Sequence, residues 1–177
     1  MKNNIIKITA GIIIILVLLL LISRLRSEDE PFKQIDLPTN NLITNNIHPM
    51  YYDTVLLVAL DQMGISGQSI VINKLTDGAK NQFDGQLKAH IRYHNGVFYL
   101  FADEFSRRES VEVLCHEVIH IQQYTTTNLT YEDGFVIWLG EPIELNTREY
   151  EQRPWEDDAF LRQTELIGNV ERILYND

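Results

Sequence analysis

The sequence is short of cysteine, of chain-breaking residues and of bases, and each shortage excludes something. Cys115 is the single cysteine, so neither an internal disulfide framework nor a cysteine-rich zinc site can form. Nine glycines and five prolines in 177 residues are too few for a collagen-like or low-complexity chain. With 45% hydrophobic and 23% charged residues, the composition is that of an ordinary globular domain. Bases are outnumbered 15 to 25, for a formal net charge of −10. Every acid follows Ser27, whereas Lys2, Lys7, Arg24 and Arg26 precede it, so the body of the chain is more acidic still. Such a surface repels phosphate backbones, and nucleic-acid binding is not expected.

Charge is also missing from Ile8 to Ile22, the longest apolar run. As a helix rising about 1.5 Å per residue, Ile5 to Ser23 reaches ~28 Å, close to the thickness of a bilayer's hydrocarbon core. Ser23-Arg24-Leu25-Arg26 offers no small-x-small cleavage site, so residues 1–23 read as an uncleaved transmembrane anchor rather than a signal peptide. The terminal amine, Lys2 and Lys7 slightly outweigh Arg24 and Arg26, which places the amino terminus inside and the body outside the cytoplasm. Residues 24–48 read as a polar linker, with Ser27-Glu28-Asp29-Glu30-Pro31, Asn40-Asn41 and Asn45-Asn46, and residues 49–177 as the folded domain.

Within that domain Tyr52, Val55, Leu56, Ala59, Leu60 and Met63 recur at helical spacing. Ser69 to Asn73 is a β-branched strand, and residues 76–87 are expected to form a loop. Ala89–His94 and Val97–Phe101 flank Asn95-Gly96, a type I′ hairpin turn. Ser106 and Glu109 form a capping box for a helix with Val111, Leu114, Cys115, Val118 and Ile121 on its apolar face. Two short strands follow, around 130–138 and 143–145, and Pro154 suits the first turn of a last helix running to about Leu174. The fold class is α+β: a small, mainly antiparallel sheet packed on an active-site helix and a C-terminal helix, preceded by one transmembrane helix.

The chemistry lies in His116-Glu117-Val118-Ile119-His120. Residues four apart share one helical face, so both imidazoles can reach one metal ion. Glu117 is placed to take a proton from water at the metal rather than to ligate. A catalytic zinc site needs a third protein ligand and an open position. No histidine lies close downstream, where positions 123 and 126 are Gln123 and Thr126. His48, His90 and His94 lie upstream, and His90 and His94 read as surface residues beside Arg92. Carboxylates are the better candidates. Positions 156, 159, 163, 166, 170 and 173 form a mostly apolar stripe, so Glu156 points toward the core, whereas Glu151 precedes Pro154 and is expected to be exposed. A buried carboxylate needs a compensating partner, either a metal ion or a salt bridge to Arg153 or Arg162.

His116-Glu117-x-x-His120 on a helix, after a hairpin and before a ligand-bearing helix, resembles the zincin metallopeptidases, and the helical Glu places it nearest the gluzincin branch. His-Glu-Val-Ile-His-Ile-Gln-Gln, with the later Tyr150-x-x-Arg153-Pro154-Trp155-Glu156-x-x-Ala159, is similar to compact metallopeptidases of bacteria and phages. The resemblance spans roughly residues 97–160. It implies Zn2+ held by His116, His120 and Glu156, Glu117 as general base and a peptide or protein substrate. One position departs from it: gluzincins often carry an Asp four residues after the ligand Glu to orient a histidine, and here that residue is Phe160. Asp157 or Asp158 could substitute. Tyr150 is a candidate oxyanion stabiliser, and the strand Val97 to Phe101 a candidate for pairing with an extended substrate. These readings describe a membrane-anchored zinc metallopeptidase. The competing reading is an inactive zincin-like domain acting as a tethered binding or assembly module, and a third is hydrolysis of a non-peptide amide.

Overall fold

The computed structural model describes residues 32, 35, 37, 40–46, 49–78, 87–132, 135–144 and 152–175. The expected anchor over 1–23, most of the segment 24–48, and His48, Tyr150 and Glu151 lie outside the described residues. Among the described residues, no helix is long and apolar enough to cross a membrane.

The architecture is α+β, with three helices and two sheets among the described residues. Chain order runs β1 (Leu42–Asn45), α1 (Tyr51–Gln62), β2 (Ser69–Lys74), β3 (Ala89–His94), β4 (Val97–Ala102), α2 (Arg107–Thr125), β5 (Leu129–Glu132), β6 (Phe135–Trp138), β7 (Glu141–Ile143) and α3 (Pro154–Tyr175). The larger sheet has the order β1-β2-β4-β3. Its β1–β2 and β2–β4 pairings are parallel, and only the β3–β4 hairpin is antiparallel. The expected mainly antiparallel arrangement therefore holds in the smaller sheet, β5-β6-β7, and not in the larger one. Local hairpin signals reveal antiparallel neighbours, but parallel pairing is set by crossovers that leave no turn signature.

One boundary also shifts. The segment expected to be a linker supplies β1, and Phe32, Ile35, Leu37 and Ile43 pack against the core. Asparagines suit this stretch for a reason other than solvation. Asn41 Nδ2 donates to Ile65 O at 3.0 Å and its Oδ1 accepts from Gln68 N at 2.8 Å, while Asn40 Oδ1 accepts from Gly67 N at 2.8 Å. These bonds tie the start of β1 to the turn ahead of β2. Strand β4, the candidate substrate-pairing strand, is bonded on both sides, by β2 and by β3, so its backbone groups are already used. Among the described residues β3 is the edge strand on that side.

One core holds these elements together. Ile70, Ile72, Phe98 and Leu100 point from one face of the larger sheet, as the two-residue period dictates. Tyr52, Val55, Leu56, Ala59 and Leu60 meet them from α1, and Leu114, Val118 and Ile121 from α2. α2 touches α1, α3 and β3, which makes it the central helix of the domain. Its start is held by Ser106, whose hydroxyl accepts from Glu109 N at 3.3 Å. The reciprocal half of the capping box is replaced, because Glu109 carries an ion pair to Lys88 at 2.6 Å. Tyr52 fixes the chain just ahead of α2, donating to Asp103 O at 2.7 Å and accepting from Phe105 N at 2.8 Å. In the hairpin turn Asn95 and Gly96 have φ of 50° and 80°, as the Asn-Gly pair requires.

Candidate metal centre

His116 and His120 stand one turn apart on α2, and Glu156 lies in the first turn of α3. Pro154 starts α3, and the backbone N–H groups of Glu156 and Asp157 both donate to Arg153 O, at 2.9 and 3.0 Å. Burial follows the stripe read from the sequence: Glu156, Ala159, Leu166 and Val170 are buried. Glu156 thus enters the same interior as the two imidazoles. His116 Nε2 lies 3.1 Å from Glu156 Oε2 and 3.1 Å from His120 Nε2. The third side, His120 Nε2 to Glu156 Oε2, is 3.3 Å. All three side chains are largely shielded, 12%, 6% and 5% exposed in chain order, so water does little to relieve their mutual repulsion.

The hydrogen bonds on the far side of each ring decide what this triangle presents. His116 Nδ1 lies 3.0 Å from Gln163 Oε1, and His120 Nδ1 lies 2.7 Å from Gln123 Oε1. An amide oxygen only accepts, so both Nδ1 atoms carry their protons. In the neutral rings both Nε2 atoms then present lone pairs, and Glu156 adds a carboxylate oxygen. Three acceptors within 3.3 Å of one another demand positive charge between them. His116, His120 and Glu156 form a group that could hold a metal ion.

Titration follows the same demand. Burial opposes ionisation of Glu156, yet the hydrogen bonds and charges of His116 and His120 outweigh it and bring the carboxyl down to about 2. For His120, burial favours the neutral ring, but the hydrogen bond and charge of Glu156, with help from Glu117 and Gln123, raise it to about 9. In the metal-free protein the stability from Glu156 is present above its ordinary 4.5 and is lost as pH falls toward 2. That from His120 is complete below its ordinary 6.5 and is lost as pH rises through 9. Thermal melts in chelator are expected to show this cluster's contribution greatest between about 4.5 and 6.5 and declining toward alkaline pH.

Glu117 is 3% exposed, and its Oε2 is buried without a hydrogen-bond partner. Burial pushes its carboxyl up, against the lowering influence of His120 and His116. Tyr150 and Glu151 lie outside the described residues, so neither is placed relative to the cluster. Among the described residues Glu156 pairs with His116 and His120, and Arg162 pairs with Asp158 at 3.0 Å. His90 is half-buried rather than exposed. Its ring stacks on Phe101 at 4.9 Å, both ring nitrogens are buried without hydrogen bonds, and burial followed by the charge of Arg92 lowers it to about 4. His94 is exposed, as expected.

Phe160, at the position where an orienting Asp was sought, packs its ring on His116 at 4.8 Å. The groups that face the Nδ1 atoms of the two rings are instead Gln163 and Gln123, which the sequence reading does not pick out. A signal for Gln163 was available, because it is a polar member of the apolar stripe that carries Glu156. Cys115 faces the core beside this site, and burial pushes its thiol up to about 12, which leaves it an inert packing group. No protein-family model, curated protein or solved structure matched the chain.

Proposed function

We propose that the chain is a membrane-anchored zinc metallopeptidase. One observation carries this reading: two imidazole lone pairs and a carboxylate oxygen from two separate helices converge with sides of 3.1, 3.1 and 3.3 Å. Zinc ligands at about 2.0–2.1 Å in a tetrahedron lie about 3.3–3.4 Å apart, so the donors already stand near the required spacing. The set of two histidines and one carboxylate is also what catalytic zinc uses when one coordination position is left for water or substrate. His116, His120 and Glu156 would hold the ion, which, when bound, supplies a Lewis acid that acidifies water and polarises a carbonyl.

The chain's own residues account for the remaining steps. Glu117 accepts the proton of the attacking water and passes it to the leaving amine. Its burial suits that task, since burial raises the carboxyl and a raised carboxyl accepts a proton more readily. An extended substrate would find its backbone partners on the edge strand β3, which touches α2, rather than on β4. The apolar run over 1–23 would tether the domain to a membrane, with the body outside the cytoplasm.

The test is metal analysis joined to product analysis. Protein purified without chelators is expected to carry about one zinc per chain and to create new amino termini in a denatured protein mixture. Protein that takes up no divalent metal ends the enzyme reading. Zinc uptake with no new termini favours instead the tethered, inactive zincin-like module.

A further inference from the structure

We infer that Gln123 is a positioning residue of this site, whose amide is locked in one orientation and thereby fixes which nitrogen His120 turns toward Glu156. The inference rests on the zinc-site reading above and deepens it.

Gln123 sits one turn beyond His120 on α2 and is 1% exposed. A buried amide is costly unless its oxygen and its amino group both find partners. Here the partners dictate the orientation. Nε2 lies 2.9 Å from Trp155 O and 2.8 Å from Asp158 Oδ2. A backbone carbonyl and a carboxylate can only accept, and the amino group has two protons to give. Oε1 is therefore left for His120 Nδ1 at 2.7 Å, and it can only accept. Flipping the amide would set its oxygen against two acceptors and forfeit both donations. The proton on His120 consequently stays on Nδ1, and in the neutral ring Nε2 presents its lone pair to the cluster.

Arg162 holds Asp158 in place at 3.0 Å from the other side and also donates to Gln122. Trp155 is the residue before Glu156. The same amide thus ties α2, which carries two ligands, to the first turn of α3, which carries the third. His116 has a counterpart in Gln163, but the two acceptor contacts that fix the amide are described for Gln123.

The test uses the full chain in detergent micelles, with zinc affinity read by competition against a chromophoric chelator and the His120 Nδ1 proton read by NMR. Gln123→Leu is expected to weaken zinc binding about ten- to hundredfold. It should also abolish the slowly exchanging downfield Nδ1 proton that the 2.7 Å bond to Gln123 is expected to give the parent protein, with or without metal. Gln123→Glu keeps an acceptor for His120 but sets a carboxylate against Asp158, so it too should bind zinc weakly. Adding Asp158→Asn removes the facing carboxylate and supplies a donor there, while Trp155 O still faces an oxygen, so the double variant should recover part of the loss. That rescue separates positioning from bulk packing, and it decides the matter if Gln123→Leu does not fold. Folded Gln123→Leu with parental zinc affinity, an unchanged Nδ1 proton, or a double variant no better than Gln123→Glu would each overturn the inference. A parent protein that binds no zinc would sink the enzyme reading alone, because the Nδ1 proton reports on Gln123 without metal.

Discussion

Glu117→Gln is expected to retain about one zinc per chain and to lose turnover by about 10²–10⁴-fold, the range that a positioned general base contributes. The side chain keeps its size, so the packing of α2 around Val118 and Leu114 should not change. What disappears is the ability to accept a proton. Stability separates this from a general structural defect. Glu117 is buried, one carboxylate oxygen has no partner, and burial raises its pKa. A carboxyl with a raised folded-state pKa binds protons more readily in the native state, so it erodes stability as pH rises above its ordinary 4.5. The neutral amide has no such term. In chelator at pH 7 the variant should therefore melt at the same temperature as the parent or higher, with the gap closing as pH is lowered toward 4.5. Turnover within tenfold of the parent at equal zinc content would remove Glu117 from the role of base.

The parts of this site legible from sequence are those set by local geometry. Two histidines four apart on a helix must share a face, Asn95-Gly96 must turn a hairpin, and Pro154 must open a helix rather than interrupt one. Glu156 was reachable because its neighbours at 159, 166 and 170 are apolar and a helix has one buried stripe. Contacts across long stretches of chain were not legible. Strand β1 lies in an asparagine-rich segment whose composition suggests solvent, yet Ile43 pairs with Ile70 on the core face, and Asn45 Nδ2 donates to Asp53 Oδ1 at 2.7 Å on α1. Polar side chains there serve as hooks between elements, and composition does not distinguish hooks from linker. The glutamines show the same gap. Gln123 reaches Asp158 across two helices, and no periodicity in either helix announces that meeting.

Glu156→Ala is expected to abolish zinc retention through gel filtration, whereas Glu151→Ala should leave it intact. Two imidazoles remain in the first variant, but without the carboxylate neither the charge nor the third donor is present. The structural cost should be smaller than removal of one partner from an ordinary buried ion pair, about 3–5 kcal/mol. His120 can give up its extra proton. With Glu156 gone, the main influence holding His120 near 9 is gone as well, and burial then favours the neutral ring. A neutral His120 still donates from Nδ1 to Gln123 and leaves no stranded charge. NMR titration should accordingly find His120 neutral at pH 7 in Glu156→Ala and protonated in metal-free parent protein. Glu156→Gln refines the point, since it preserves side-chain volume and removes only the charge. Zinc kept by Glu156→Ala and lost by Glu151→Ala would transfer the third ligand to Glu151. Loss in Glu156→Ala with a shifted His120 titration would tie both effects to one carboxylate, the one that now favours the protonated His120 ring and would otherwise neutralise a cation.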